Sequence, residues 1–338
     1  MATFKVTKGT PVAFRDSAYP TAYPSPHEGE LFYNSGSGAF QFLGLATGAW
    51  STGGTMNTGR TSSSGTGTGS TDHIIAGGYY LPPSADRSRT ETYNGTAWSE
   101  VAELNTERGY TNGGGTQTAA ICVAGTVPPY GTNVEVWNGA GWNEVADVST
   151  ARSGVNLAGT STSLITTGGF NPSYPSGNAP YAEEWNGASW AEVAEMNTAR
   201  YAGGGSGVSA TDALIFGGSN TGGGALTSSN NEIWNGTSWT SLADLNTGRY
   251  GVGGFGTTGA AICCGGANPV ITNTEQWNGS TWTEVNDLST ANRTQAVSSQ
   301  PAGTSQGFVA GGSNATATLA VTEEWTQPQA VTNTTITD

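Results

Sequence analysis

The feature that most constrains this chain is a phrase it repeats in phase. An aromatic residue is followed by Asn-Gly, two more residues, and then Trp. The phrase runs Tyr93-Asn94-Gly95 to Trp98, Trp137-Asn138-Gly139 to Trp142 and Trp185-Asn186-Gly187 to Trp190. It returns as Trp234-Asn235-Gly236 to Trp239 and Trp277-Asn278-Gly279 to Trp282. Ten residues after the Trp stands Arg108, Arg152, Arg200 or Arg249, and Arg293 follows at eleven. Trp50 and Arg60 have the same ten-residue spacing without the preceding phrase. Upstream of each aromatic lies an apolar segment ending in glycine: IIAGG, ICVAG, LITTGG, LIFGG, ICCGG and FVAGG.

The tryptophans are 48, 44, 48, 49 and 43 residues apart. A period of about 40–50 residues holding four short strands is that of a propeller blade. Within each repeat the first strand is glycine-rich, as in Gly113-Gly114-Gly115 and Gly203-Gly204-Gly205, because inner strands crowd an axis where only small residues fit. The second strand is apolar and packs between blades. The third carries the aromatic, and Asn-Gly turns the chain by accepting positive φ at both residues. The fourth carries the Trp, whose area fills the gap between blades.

Six second strands end in glycine, and six third strands carry Glu two residues before the aromatic: Glu91, Glu135, Glu183, Glu232, Glu275 and Glu323. The last repeat runs out at Trp325, and Trp50 is left over at the other end. Residues around Gly48–Thr52 are therefore expected to complete the sixth blade beside Thr322–Trp325, removing the open edge. The fold class expected is all-β: one six-bladed propeller over residues 40–325, preceded by an arm and hairpin in residues 1–39 and followed by a polar tail, 326–338.

An apolar strand ending in Gly-Gly, then an aromatic, Trp and Arg, resembles the kelch family over roughly residues 45–325. Ala124-Gly125 departs from the doublet. The resemblance implies a six-bladed propeller whose loop face binds partners.

Composition excludes several functions. Formal charge is −14, and the only lysines are Lys5 and Lys8, which argues against a nucleic-acid surface. Cys122, Cys263 and Cys264 lie in apolar runs and read as buried free thiols. His27 and His73 are too few to build a histidine metal site, and the copper-oxidase chemistry of some similar propellers needs two histidines and a tyrosine-cysteine pair. No apolar run approaches the ~18 residues of a membrane span, and the first residues hold no secretory apolar region. Neither GxxxxGK[ST] nor the Asp-containing box of sialidase-like propellers occurs. No cofactor or metal is expected. Asp72 and Asp212, which precede second strands, read as solvated loop acids rather than calcium ligands.

Repeated polar residues serve the blade. The six arginines (Arg60, Arg108, Arg152, Arg200, Arg249, Arg293) and six tryptophans (Trp50, Trp98, Trp142, Trp190, Trp239, Trp282) are assigned to structure, the arginines bonding backbone carbonyls or nearby acids. Glu100, Glu144, Glu192 and Glu284 lie two after the Trp, and Glu103, Asp147, Glu195, Asp244 and Asp287 five after it. Charge is thus spread around a ring, whereas glycoside hydrolysis needs one asymmetric carboxylate pair.

Function is expected where the blades differ. The loops between second and third strands carry Tyr79 and Tyr80, then Tyr130, then Phe170, Tyr174 and Tyr181; the other three are bland. Rigid tyrosine-rich loops suit contact with a protein or glycan at low entropic cost. Residues 1–39 are not part of the repeat. Glu30–Asn34 and Ala39–Leu43 flank Ser35-Gly36-Ser37-Gly38, a hairpin by turn chemistry. The phrase GELFYNSGSGAF resembles a hairpin of phage tail-fibre and other virion proteins, and the lysine-poor Thr/Gly/Asn-rich blades resemble virion proteins of aquatic phages. Lys5, Lys8, Arg15, Tyr19 and Tyr23 are the docking candidates of the arm. The tail is expected to be disordered alone and to need a partner, most simply neighbouring subunits. The expectation is a non-enzymatic protein of a tailed-phage virion, assembled in the host cytoplasm and exposed on the extracellular particle. Its partners are other virion proteins, copies of itself and a host-surface glycan, with no nucleic acid and no membrane insertion. A lectin-like module of the cell surface is the second reading, and an enzyme the third.

Overall fold

The structure is a computed structural model. It describes residues 48–80, 85–127, 130–174, 177–221, 226–297, 303–314 and 316–327, and the strands Ala13–Arg15, Leu31–Asn34, Ala39–Leu45 and Val331–Thr335. There is no helix among the described residues. The chain forms two compact units: residues 49–326, and residues 1–48 with 327–338.

The larger unit is a six-bladed β-propeller of four-stranded antiparallel sheets. The first blade is Ser64–Gly67, His73–Ala76, Thr90–Tyr93 and Trp98–Val101. The next four repeat this order, from Asn112–Thr116 through Trp282–Glu284. The sixth takes Ala296–Val297, Gln306–Ala310 and Thr322–Thr326 from the end of the repeat, and its outer strand, Ala49–Thr52, from the beginning. There Trp50 pairs with Trp325 and Thr52 with Glu323, the splice that the leftover Trp implied.

The core lies between blades. Six buried clusters each join two neighbours, such as Ile121, Val123 and Val134 of the second blade with Leu157, Leu164 and Trp185 of the third. Each blade contributes one cross-strand aromatic pair. The ring centroids of Trp137 and Trp142, Trp185 and Trp190, Trp234 and Trp239, Trp277 and Trp282, and Trp325 and Trp50 are 5.2–5.5 Å apart, and those of Tyr93 and Trp98 are 5.0 Å apart. Pairs in this tilted geometry contribute about 0.5–1.5 kcal/mol beyond their area. Five of the six outer indoles also reach back to the preceding blade. Trp98 Nε1 donates to Thr322 Oγ1, Trp142 to Thr90 Oγ1 and Trp50 to Thr274 Oγ1, at 3.0–3.1 Å. Trp190 and Trp239 donate to the carbonyls of Ala146 and Ala194 at 2.9 Å.

Close approach explains the glycines of the inner strands. A Cβ on Gly205 would lie 2.0 Å from the Leu157 carbonyl oxygen, and one on Gly254 would lie 2.6 Å from Phe216. The Asn-Gly turns differ from expectation in one respect. Gly95, Gly139, Gly187, Gly236 and Gly279 take φ of +86° to +92°, but the asparagines before them do not have positive φ. Their role is in the side chain. Asn94 Oδ1 accepts from the backbone amides of Thr96 and Ala97 at 3.0 and 2.9 Å, and the other four turns repeat this bond pair.

In the smaller unit the strands Ala13–Arg15, Leu31–Asn34, Ala39–Leu45 and Val331–Thr335 form one sheet. Leu31–Asn34 and Ala39–Leu45 are the expected hairpin, with Asn34 opposite Ala39. The unit reaches residue 48, where residues 1–39 were expected, and within it Gln41–Leu45 pairs with Val331–Thr335. Within residues 326–338, the strand Val331–Thr335 pairs with the chain's own hairpin. Arg15 lies in a strand opposite Asn34. Lys5, Lys8, Tyr19 and Tyr23 lie outside the described residues.

Two predictions concern stability. Gly168 has φ +62°, and a Cβ there would lie 2.1 Å from the Arg200 carbonyl oxygen; the equivalent Ala124 already holds φ +53°. Gly168→Ala should therefore cost about 1–3 kcal/mol in denaturant unfolding, and Ala124→Gly should change stability by less than about 1 kcal/mol. His73 is fully buried and stacked on Phe308 at 3.7 Å, and burial pushes its pKa down to about 3. The unfolded chain, with an ordinary histidine, binds the extra proton first. Stability should therefore fall as pH drops below about 6.5, by about 1.4 kcal/mol per pH unit, before the carboxylates titrate. His73→Phe should flatten that slope between pH 6.5 and 5.

Candidate functional site at the propeller mouth

Five of the six repeat arginines are buried in ion pairs. Arg60 pairs with Glu91, Arg108 with Glu135, Arg152 with Glu183, Arg200 with Glu232 and Arg249 with Glu275; Arg152 and Arg249 lie 2.9 and 3.0 Å from their partners. These ten side chains are at most 1% exposed. Burial lowers the pKa of Arg60, Arg152 and Arg200, and the facing glutamate's charge counters that. Each glutamate also accepts from the amide three residues before the Arg, as in Asn105 N to Glu135 Oε2 at 2.8 Å and Asn246 N to Glu275 Oε2 at 2.8 Å. These arginines are therefore occupied by the fold.

Arg293 departs from this set. The residue ten after Trp282 is Asn292, and it takes the buried slot, its Nδ2 donating to the Gly311 carbonyl at 2.7 Å. Glu323 receives the amides of Ser289 and Thr290, and no ion pair to it is found among the described residues. Arg293 is one position further on. There every blade makes one isolated bridge to the residue after the glycine doublet: Thr61 to Tyr79, Gly109 to Thr126, Ser153 to Phe170, Tyr201 to Ser219, Tyr250 to Ala267 and Arg293 to Ser313. A spacing of eleven rather than ten moves the guanidinium from the buried slot into this outer ring.

The residues after these, Ser62, Tyr110, Gly154, Ala202, Gly251 and Thr294, all have φ between +48° and +65°. They chain the blades together around the axis. Gly154 N donates to Tyr110 O, Ala202 N to Gly154 O, Gly251 N to Ala202 O, Thr294 N to Gly251 O and Ser62 N to Thr294 O, at 2.6–2.8 Å. Thr111 N closes the circle on Ser62 O at 3.3 Å.

Upon this backbone ring sits a cavity of about 300 Å³, lined by Tyr79, Tyr110, Tyr201, Tyr250 and Arg293 together with Thr61, Ser62, Ala202, Thr294 and Ser313. A narrower space of about 80 Å³, lined in part by the inner-strand glycines Gly113, Gly204, Gly205 and Gly254, shares Ser62, Tyr110, Ala202 and Thr294 with it. Arg293 Nη1 donates to the Tyr250 hydroxyl at 3.0 Å, and its Nε to Ser313 Oγ at 3.4 Å. No carboxylate pairs with Arg293 among the described residues.

Of the residues expected to bind a partner, only Tyr79 lines this cavity, its ring 5.7 Å from that of Tyr110. Tyr130 and Phe170 form a row leading to it: centroids are 5.8 Å apart from Tyr130 to Phe170, 5.8 Å from Phe170 to Tyr201 and 6.5 Å from Tyr201 to Tyr250. Tyr80 lies under the Arg87 guanidinium at 5.4 Å, and Tyr174 and Tyr181 meet edge to face at 5.0 Å; none of the three lines the cavity. Tyr110, Tyr201 and Tyr250 were not expected. Their signal is in the sequence, one or two residues after a repeat arginine. The acids after each Trp are exposed on the outer strands and the loops after them. Asp212 accepts from Thr258 Oγ1 at 2.8 Å, Asp72 from Thr68 Oγ1, and no cluster of metal-ligating side chains is found among the described residues. The three cysteines are free and buried.

No family model matches the chain, and no curated protein matches it. Among solved structures similar to it is one described as the structure of YjhT, with a TM-score of 0.66 at 12% identity, covering 83% of this chain and 99% of that one. That likeness supports the propeller fold.

The two arginine settings are separable by stability. Arg200→Met leaves Glu232 buried without a countercharge and should cost about 3–5 kcal/mol in chemical unfolding. Arg293→Gln removes no buried pair and should stay within about 0.5 kcal/mol of the parent.

Proposed function

We propose that this chain is a non-enzymatic structural protein of a tailed-phage virion, in which the terminal unit docks and the propeller is displayed for decoration, tail or fibre assembly, or attachment. The observation that carries the reading is the separation of the chain into two units with different tasks. Both ends of the chain enter one small sheet, while the splice of Ala49–Thr52 gives the sixth blade its outer strand and leaves the propeller a closed ring with only the short edges of its blades. Such a ring suits display, and docking then falls to the terminal unit. The kelch-like repeat and the phage-like hairpin phrase of the sequence support the same reading, and Lys5, Lys8 and Arg15 give the arm a basic character fitted to an acidic shell.

The mouth favours a recognition role within this reading, or in a lectin-like module of a cell surface. Four tyrosines and an arginine gathered in one cavity break the sixfold repetition at one place, where binding is asymmetric. The repeated acids are spread evenly, so the reading assigns them to the surface and not to catalysis.

Peptide mass spectrometry on purified extracellular particles tests the proposal. Trypsin alone would give very long peptides from nine arginines and two N-terminal lysines, so a second protease is needed. The chain should be found in stoichiometric ratio to other particle proteins. A high ratio to the major shell protein assigns it to decoration, and a low one to tail or fibre. Absence from particles overturns the virion reading and leaves the binding module.

A further inference from the structure

We infer that the propeller mouth is a binding site for a saccharide residue carrying a single carboxylate, with Arg293 as its anion-recognising group. The inference rests on the recognition half of the proposed function and names its ligand class.

Three observations lead to it. First, Arg293 is the member of the arginine series that the ring does not use: Asn292 fills its buried slot, and the guanidinium lies at the cavity instead. Only two of its five N–H donors have a protein acceptor assigned, Tyr250 and Ser313. Both are neutral, which leaves the charge to a ligand. A planar guanidinium matches a carboxylate in a two-bonded geometry. Second, Tyr79, Tyr110, Tyr201 and Tyr250 offer aromatic faces and hydroxyls within the same 300 Å³. That volume is at the lower end for small-molecule sites and accommodates one sugar ring. Aromatic faces pack on the apolar C–H side of a sugar, and hydroxyls such as those of Thr61 and Thr294 exchange hydrogen bonds with its polar edge. Third, the chain carries a net charge of −14, and the cavity holds one cation. A field of that sign repels polyanions such as nucleic acid or a triphosphate, while one guanidinium suffices for a monoanion.

The geometry is pre-organised. Tyr110 is itself a member of the left-handed backbone ring, and Tyr201 and Tyr250 immediately precede two others. Their Cα positions are fixed before any ligand arrives, which lowers the entropic cost of binding.

The test is titration calorimetry on the full chain with D-glucuronate and D-galacturonate, each against its neutral counterpart, D-glucose or D-galactose. At least one uronate should bind about tenfold or more tighter than its neutral partner, equivalent to about 1.4 kcal/mol. Arg293→Gln should abolish that preference without changing the thermal midpoint, and Tyr201→Ala should weaken uronate and neutral sugar alike. Sodium sulfate as competitor separates a general anion site from a saccharide site. The inference is overturned if sulfate binds as tightly as the uronates, if uronate and neutral sugar bind equally, if the preference survives Arg293→Gln, or if no sugar binds. Uronate binding by a chain missing from particles would keep the site and remove the virion reading. A chain abundant in particles that binds none of the four sugars would do the reverse.

Discussion

One residue per blade holds this ring together. The repeat arginine accepts, at its backbone carbonyl, the amide of the second glycine of the neighbouring doublet: Arg108 from Gly78, Arg200 from Gly169, Arg249 from Gly218 and Arg60 from Gly312, at 2.7–3.1 Å. Its guanidinium meets the glutamate of the next third strand. Two adjacent blades are thus fastened through a single side chain and its own backbone. Glycine is favoured in the doublet because both positions have positive φ and the Arg carbonyl approaches the Cβ position of the first, where only Ala124 carries a side chain. The isolated pair would contribute little after desolvation. Its value lies in satisfying the buried amides and carbonyls of the loop between blades, which otherwise have no ladder to join.

The same repetition makes the exception legible. In the sixth position, Asn292 keeps the backbone half of the fastening, its carbonyl accepting the Gly266 amide at 2.8 Å, but not the charge. The ring tolerates this because Glu323 retains two backbone donors. A compensating exchange of the same kind occurs at His73, which faces Tyr93 where two other blades set alanine opposite tryptophan, at Ala213 and Ala261. A larger residue on one strand is matched by a smaller ring on the next, so that volume between blades is conserved.

How much of this the sequence discloses follows from the range of each interaction. The propeller and its splice are legible because they rest on spacing: Trp50 without a partner and Trp325 without a fourth strand admit one solution. The arginine–glutamate pairs are less so. Arg108 and Glu135 are 27 residues apart, and equal periods place every Arg in the same phase with every Glu without saying which two meet. Arg293 looks like a repeat arginine because an offset of one residue is within the scatter of the loops, yet that offset changes its surroundings completely. Tyr110, Tyr201 and Tyr250 lie in a segment whose conservative reading is loop, and their convergence is a property of the closed ring. Val331–Thr335, in VTNTT, has too little apolar content to read as a strand; its partner supplies the pairing. Of the residues expected at a binding surface, Tyr79 alone reaches the cavity, because loop length decides which tyrosine is carried over the axis, and Tyr174 and Tyr181 pack on one another instead.

A symmetric scaffold and an asymmetric mouth make different demands, and this fold meets them in different places. The buried arginines, glutamates and indoles lie between blades, where the repeat sets them and where the one exchange, Asn292 for arginine, keeps the backbone contact. The mouth lies at the residues that follow, which the backbone circle holds through amides and carbonyls that any residue supplies. Side chains there are free of the closure constraint, which is why one blade can present Gly154, another Tyr110 and a third Thr294 from the same backbone position. Specificity can therefore vary at the mouth without loosening the ring, and a cation placed there, as Arg293 is, costs the propeller none of its five buried pairs.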